Sequence, residues 1–158
     1  MNSSEDIPKG FRSGFVALIG RPNVGKSTLV NKLIGKKVAI TSPVAQTTRN
    51  RLRAILTTET AQLVIVDTPG IHKPHHLLGE RLVKSAKSSI SEVDIVLLIF
   101  DASFIPGKGD FFIVELLKKQ KIPVLVVLNK WDLVELDHSE KRENEYQNLL
   151  SDACWPLY

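Results

Sequence analysis

Residues 20–27 read Gly20-Arg21-Pro22-Asn23-Val24-Gly25-Lys26-Ser27, two glycines with four residues between them, followed at once by a lysine and a hydroxyl side chain. The pattern describes a turn whose backbone N–H groups converge on an anion, backed by a helix that adds its positive N-terminal end. Gly25 allows the backbone to approach closely, Lys26 can reach the β- and γ-phosphates of a nucleotide, and the Ser27 hydroxyl can ligate Mg²⁺. A phosphate loop of this kind needs a strand before it and a helix after it. Residues 15–19, Phe-Val-Ala-Leu-Ile, are apolar throughout and read as a buried strand, while Leu29, Val30, Leu33 and Ile34 recur at helical spacing. Gly35 suits the helix C-cap. A chance match in a glycine-rich turn is the plain alternative, and this flanking order argues against it.

Working outward, the strand-and-helix alternation continues. Residues 36–50 lack a period and hold Pro43, which predicts a loop. Residues 52–56 and 63–66 are two strand candidates joined most directly as a hairpin. A helix is expected over 79–90, where Leu82, Val83, Ala86 and Ile90 form one stripe. Residues 95–100 read as a fully buried strand, and the turn Pro106-Gly107-Lys108-Gly109 leads to Asp110, expected to N-cap a helix over 111–119. Pro123 precedes a strand over 124–128; residues 139–150 read as a solvated helix with Tyr146, Leu149 and Leu150 on one side. The fold expected is α/β of the P-loop NTPase class, a mostly parallel central sheet with helices on both faces and one antiparallel edge hairpin. Residues 1–13 read as a loose lead-in and 14–158 as one nucleotide-binding domain.

Composition agrees. The 158 residues are 43% hydrophobic and 24% charged, which excludes a disordered tail or a fibre. The single cysteine, Cys154, excludes a disulfide scaffold and favours a reducing compartment; it reads as inert. The apolar runs at 95–100 and 124–128 fall far short of the about 20 residues of a membrane span. The opening residues, MNSSEDIPKG, have no hydrophobic segment like that of a signal peptide. A net charge of +4 allows an RNA or acidic-surface partner without requiring one.

Three more motifs accompany the phosphate loop. Asp67-Thr68-Pro69-Gly70 closes the strand at 63–66. A carboxylate there can hold Mg²⁺ through water, and the Gly70 N–H can meet the γ-phosphate, a contact that hydrolysis would release. Alone, the motif could equally be a strand-end turn with a capping aspartate. Asn129-Lys130-Trp131-Asp132 comes directly after the strand at 124–128. The Asp132 carboxylate can accept the N1–H and N2–H₂ donors of guanine; adenine would leave it unpaired, which favours GTP by about 10⁴-fold. An ordinary strand-to-helix loop is the alternative for the tetrapeptide alone. In the loop between the first helix and the second strand, the hydroxyl of Thr48, preferred over Thr47, can complete the Mg²⁺ shell; a threonine pair leading into a strand is the alternative. The expected nucleotide contacts are Gly20, Asn23, Val24, Gly25, Lys26, Ser27, Thr28, Asp67, Gly70, Asn129, Lys130 and Asp132. The expected metal ligands are Ser27, Thr48 and Asp67, and Lys26, Thr48 and Gly70 are the expected catalytic groups.

Over residues 14–134 the sequence resembles the translation-factor-like GTPases and, among them, the bacterial Era family. The sharper marks are Gln46-Thr47-Thr48-Arg49, flanked by Asn50, and Asp67-Thr68-Pro69-Gly70-Ile71-His72-Lys73-Pro74. The related tRNA-modification and tandem-domain ribosome-assembly GTPases tend to carry glycine and aspartate at those flanks. The resemblance implies a cytoplasmic GTP-driven factor that binds 16S ribosomal RNA and assists small-subunit assembly, partly at the inner face of the membrane. It also implies two parts not found in these 158 residues: a Ser-Ala loop contacting guanine O6, with the final Trp155-Pro156-Leu157-Tyr158 beginning the strand before it, and an RNA-reading KH domain. The expectation is a piece that ends inside its nucleotide-binding domain.

Where Ras-like enzymes place a water-orienting glutamine, Ile71 stands. Catalysis must lean on Lys26, Mg²⁺ and backbone donors, and slow intrinsic turnover is expected. A K⁺ ion held by the Asn23 carboxamide could supply further charge, as the resemblance implies; the alternative is an asparagine that only stabilises the turn. An assembly module that binds GTP with little hydrolysis is the second functional reading, and an ATPase or kinase the third, disfavoured by Asp132. His72, His75 and His76 fit no zinc spacing. Arg49, Arg51 and Arg53 alternate as a solvated edge or a phosphate contact, and Lys118, Lys119 and Lys121 favour a helix C-terminus.

Overall fold

The computed structural model describes residues 10–34, 52–66 and 90–158. Strand β1 (Arg12–Ile19) leads into helix α1 (Lys26–Ile34); β2 (Leu52–Thr57) and β3 (Ala61–Val66) come next. Then come β4 (Ile95–Asp101), α2 (Lys108–Lys118), β5 (Val124–Asn129), short 3-10 turns at Trp131–Leu133 and Leu136–His138, and α3 (Ser139–Leu149). The strands form one sheet in the order β2-β3-β1-β4-β5. β1 runs parallel to β3 and β4, and β4 to β5, while β2 and β3 pair antiparallel at the edge. Thr58 closes that hairpin: its Oγ1 accepts the Ala61 N–H at 3.0 Å.

The apolar strands are apolar on both faces because both faces are covered. Ala17, Ile19, Val96, Leu98, Phe100 and Val126 pack with Ile113, Val114 and Leu117 of α2 and Tyr146 and Leu149 of α3. Their neighbours along the strands, Val16, Leu18, Ile65 and Ile99, point the other way onto Val30 of α1 and Val24. Alternating side chains that meet helices on either side leave no polar stripe in the sequence. No helix among the described residues is long and apolar enough to cross a membrane.

Some boundaries differ from expectation. β1 starts at Arg12, so part of the expected lead-in is strand, paired with β3 from Arg12↔Ala61 onward. Phe15 is 42% exposed rather than buried, because β4 pairs with β1 only from Val16 on. Helix α2 starts at Lys108 with Gly107 as its N-cap, which puts Asp110 at the third helical position and not at the cap. The helix expected over 139–150 forms, with Tyr146, Leu149 and Leu150 all buried. Among the last residues, Leu157 makes an isolated parallel bridge to Val126 of β5: the Val126 N–H donates to Pro156 O at 2.9 Å and the Tyr158 N–H to Val126 O at 3.0 Å. The loop expected at 36–50, the Gly35 cap and positions 79–89 of the expected helix lie outside the described residues; Ile90 is buried in the core.

Candidate nucleotide-binding site

The parallel strands β1, β4 and β5 end on the same side of the sheet, and the segments that leave them pack together there. In an open α/β sheet, ligands bind outside these carboxyl ends. The phosphate loop leaves β1 at Gly20, where a Cβ would collide with the carbonyl of Ile99 in β4. Asn23 turns the loop in the left-handed region (φ +63°), a conformation that asparagine tolerates. Gly25 has φ +94°, and a Cβ there would strike Asn129 Nδ2. The chain then enters α1 at Lys26. Its ammonium folds back across the loop, donating to the carbonyls of Gly20 at 2.9 Å and Arg21 at 2.6 Å. Ser27 is exposed at the start of α1, beside Thr28.

The motif after β5 locks onto this loop. Asn129 Nδ2 donates to the Val24 carbonyl at 2.8 Å across 105 residues of sequence. Lys130 is left-handed (φ +62°), which turns the chain into the 3-10 turn carrying Asp132. A Cβ on Gly25 would lie 3.9 Å from Lys130 Cε, so the lysine stem runs alongside the loop. Its ammonium meets Asp101 Oδ2 at 2.6 Å. Burial alone would raise the Asp101 carboxyl, but the hydrogen bonds from Lys130 and Ser103 outweigh it and hold its pKa below the ordinary 3.8. Asp132 is exposed and accepts no hydrogen bond among the described residues. Trp131, beside it, is 38% exposed.

The structure thus joins Gly20, Val24, Gly25 and Lys26 to Asn129 and Lys130, with Asn23, Ser27 and Thr28 in the same loop and helix start and Asp132 in the turn after Lys130. Thr48, with Thr47, and Asp67 and Gly70 lie outside the described residues, as do Ile71, His72, His75, His76, Arg49 and Arg51. The expected Mg²⁺ set therefore reduces here to Ser27, a hard oxygen donor exposed at the helix start next to Lys26, which fits the ion's chemistry. Lys118 ends α2 and pairs with Glu115 at 2.8 Å. Cys154 is exposed.

Sequence reasoning missed a second ring of residues. Asp110, 2% exposed, accepts from Arg21 NH1 at 2.9 Å and from the Gly107 N–H at 2.8 Å, both on Oδ2. Tyr146 is buried in the core, and its hydroxyl lies 2.9 Å from Asp101 O and 3.0 Å from Phe104 O. Arg142 NH1 donates to Ala102 O at 2.6 Å. These bonds tie the segment from β4 to α2 to the phosphate loop through Arg21 and to α3 through Tyr146 and Arg142. Nothing in local pattern marks them; the capping role expected of Asp110 is the nearest signal.

The sequence matches the 50S ribosome-binding GTPase family over residues 15–130. It is 57% identical over 150 residues to the GTPase Era of Crocosphaera subtropica, covering 95% of this chain and 48% of the relative. It is 59% identical over 154 residues to that of a Nostoc species, covering 98% and 47%. The fold is similar to that of an Era crystallised with MgGDPNP and nucleotides 1506–1542 of 16S ribosomal RNA, at TM-score 0.72 and 36% identity over 93% of this chain and 50% of that one. It is also similar to a variant of Aquifex aeolicus Era bound to GDP·AlF4⁻, at TM-score 0.70 and 37% identity over 92% and 50%. The chain spans about half the length of the curated relatives it matches. These likenesses bear out the family resemblance carried by the motifs.

Proposed function

The chain belongs to the 50S ribosome-binding GTPase family, and from that premise we propose that it binds GTP and GDP with Mg²⁺ and hydrolyses GTP as a molecular switch of the Era kind. The observation that carries this reading is the 2.8 Å bond from Asn129 to the Val24 carbonyl. It joins the loop that would cradle the phosphates to the motif that would hold the base, leaving the Asp132 carboxylate open. Loop N–H groups and Lys26 bind the phosphates, Asp132 selects guanine, and Ser27, with Thr48 and Asp67, holds the metal. Mg²⁺ would neutralise charge on the phosphates when bound. Gly70 senses the γ-phosphate. With Ile71 after Gly70, rate comes from electrostatic stabilisation, and the switch outweighs the flux.

Asn23 is exposed in the phosphate loop, and its carboxamide would hold a K⁺ ion that adds charge where the transition state develops it. The intact factor acts on 16S ribosomal RNA and small-subunit assembly, a reading supported by the RNA in the similar Era complex. It works in the cytoplasm, with peripheral contact at the inner membrane face. Ile71 favours a second reading, a GTP-bound assembly module with little turnover. Single-turnover GTP hydrolysis in Mg²⁺, with and without 16S RNA, separates the two: turnover that Lys26→Ala abolishes supports the switch, and tight binding without turnover supports the module. No guanine-nucleotide binding at all refutes both.

A further inference from the structure

Arg21 is part of the phosphate loop in sequence, yet its side chain leaves the loop. It lies flat over the start of α2, where a Cβ built on Gly109 would sit 3.1 Å from Arg21 Cδ and 3.2 Å from Nε, and one on Gly107 would sit 3.5 Å from NH1. A Cβ at position 109 would crowd that stem, whereas 3.5 Å at position 107 is ordinary contact. The guanidinium then reaches Asp110 Oδ2 at 2.9 Å, and the same oxygen accepts the Gly107 N–H at 2.8 Å. The two side chains differ in exposure: 46% for Arg21 and 3% for Asp110. A carboxylate so buried is held in place by its helix and its backbone bond, and Arg21 is its cationic partner among the described residues. The backbone carbonyl of Arg21 meanwhile accepts Lys26 Nζ at 2.6 Å. Asp110, Arg21 and Lys26 therefore form one chain of contacts running from α2 to the residue that meets phosphate.

We propose that Arg21 is a positioning residue, a latch that pins the first arm of the phosphate loop to Asp110 so that the loop N–H groups and Lys26 are set before nucleotide arrives. It touches no nucleotide itself. Holding a loop in its binding-competent shape removes an ordering penalty from binding. The consequence for affinity rests on the guanine-nucleotide reading above; the pinning of the loop does not.

Amide hydrogen exchange over residues 20–27 in the nucleotide-free chain tests the latch directly, and titration with a fluorescent GDP tests its consequence. Arg21→Ala and Asp110→Asn are each expected to speed exchange in 20–27 by about tenfold while leaving β5 unchanged, and to weaken GDP by about tenfold. Arg21→Lys recovers part of both, and the double variant is no worse than the worse single one. Unchanged exchange in 20–27, or a rise shared equally by β5, overturns the proposal, since the second would mean only a less stable fold. Faster exchange with GDP affinity within about twofold of the parent overturns the preorganisation role. If the parent chain binds no GDP while the exchange behaves as expected, the latch stands and the guanine-nucleotide reading falls.

Discussion

Asn129 Nδ2 donates to the Val24 carbonyl at 2.8 Å, and a Cβ on Gly25 would strike that same nitrogen. The strand end that carries the base motif and the apex of the phosphate loop are thus a single packed unit. Removing the carboxamide with Asn129→Ala leaves a loop carbonyl without its donor and frees the loop to drift. GDP affinity should fall by about tenfold, with a stability loss of about 1 kcal/mol. Fluorescent GDP titration beside urea unfolding checks this; unaltered affinity would mean that the two motifs work independently.

Gly25 has two reasons to be glycine, its φ of +94° and the nearness of Asn129. Gly25→Ala should cost about 1–3 kcal/mol in the loop and abolish measurable nucleotide binding. Retained GDP affinity in the alanine variant would contradict the close approach.

The Lys130–Asp101 pair predicts an acid limb. The Asp101 pKa is depressed below its ordinary 3.8 in the folded chain. A carboxyl with a depressed folded pKa adds stability above its unfolded pKa and loses it as pH falls through the folded one. The parent protein should therefore lose stability between about pH 5 and pH 2 more steeply than Lys130→Met, which lacks the partner. Urea midpoints against pH measure this, and parallel curves for the two proteins would count against the pair.

The buried Tyr146 hydroxyl serves the carbonyls of Asp101 and Phe104. Burial, the largest cause, with nearby Asp110, pushes its phenol well above the ordinary range, so it stays neutral. Tyr146→Phe should lower stability by about 1 kcal/mol, because the part-buried carbonyls of Asp101 and Phe104 lose the hydroxyl donor while packing is kept. Thermal unfolding would show it, and an unshifted midpoint would mean that water replaces the hydroxyl at no loss.

Much of this architecture is legible in the sequence, for physical reasons. Residues 95–100 and 124–128 are continuous apolar runs because parallel strands covered on both faces have no polar side to show. The phosphate loop and Asn129–Asp132 are legible because their chemistry tolerates few residue types at fixed spacing. The start of α2 is not: Lys108 and Gly109 carry no apolar period, and glycine reads as a turn, so local pattern puts the helix start at Phe111 and Asp110 at its cap. The Arg21–Asp110 contact joins residues 89 apart and exists only once β4 and β1 lie side by side. Phe15 reads as buried because a five-residue apolar run does not reveal where the neighbouring strand stops.

Base selection by Asp132 is the central claim for this site. Competition of GDP, ADP and XDP against fluorescent GDP on the parent chain and on Asp132→Asn measures it. The parent should prefer GDP over ADP by about 10⁴-fold or more. In Asp132→Asn the preference moves toward XDP, because xanthine carries a carbonyl where guanine has N2–H₂ and the new carboxamide can donate to it. ADP competing as well as GDP on the parent, or a GDP-to-XDP ratio that the substitution leaves unchanged, would contradict it.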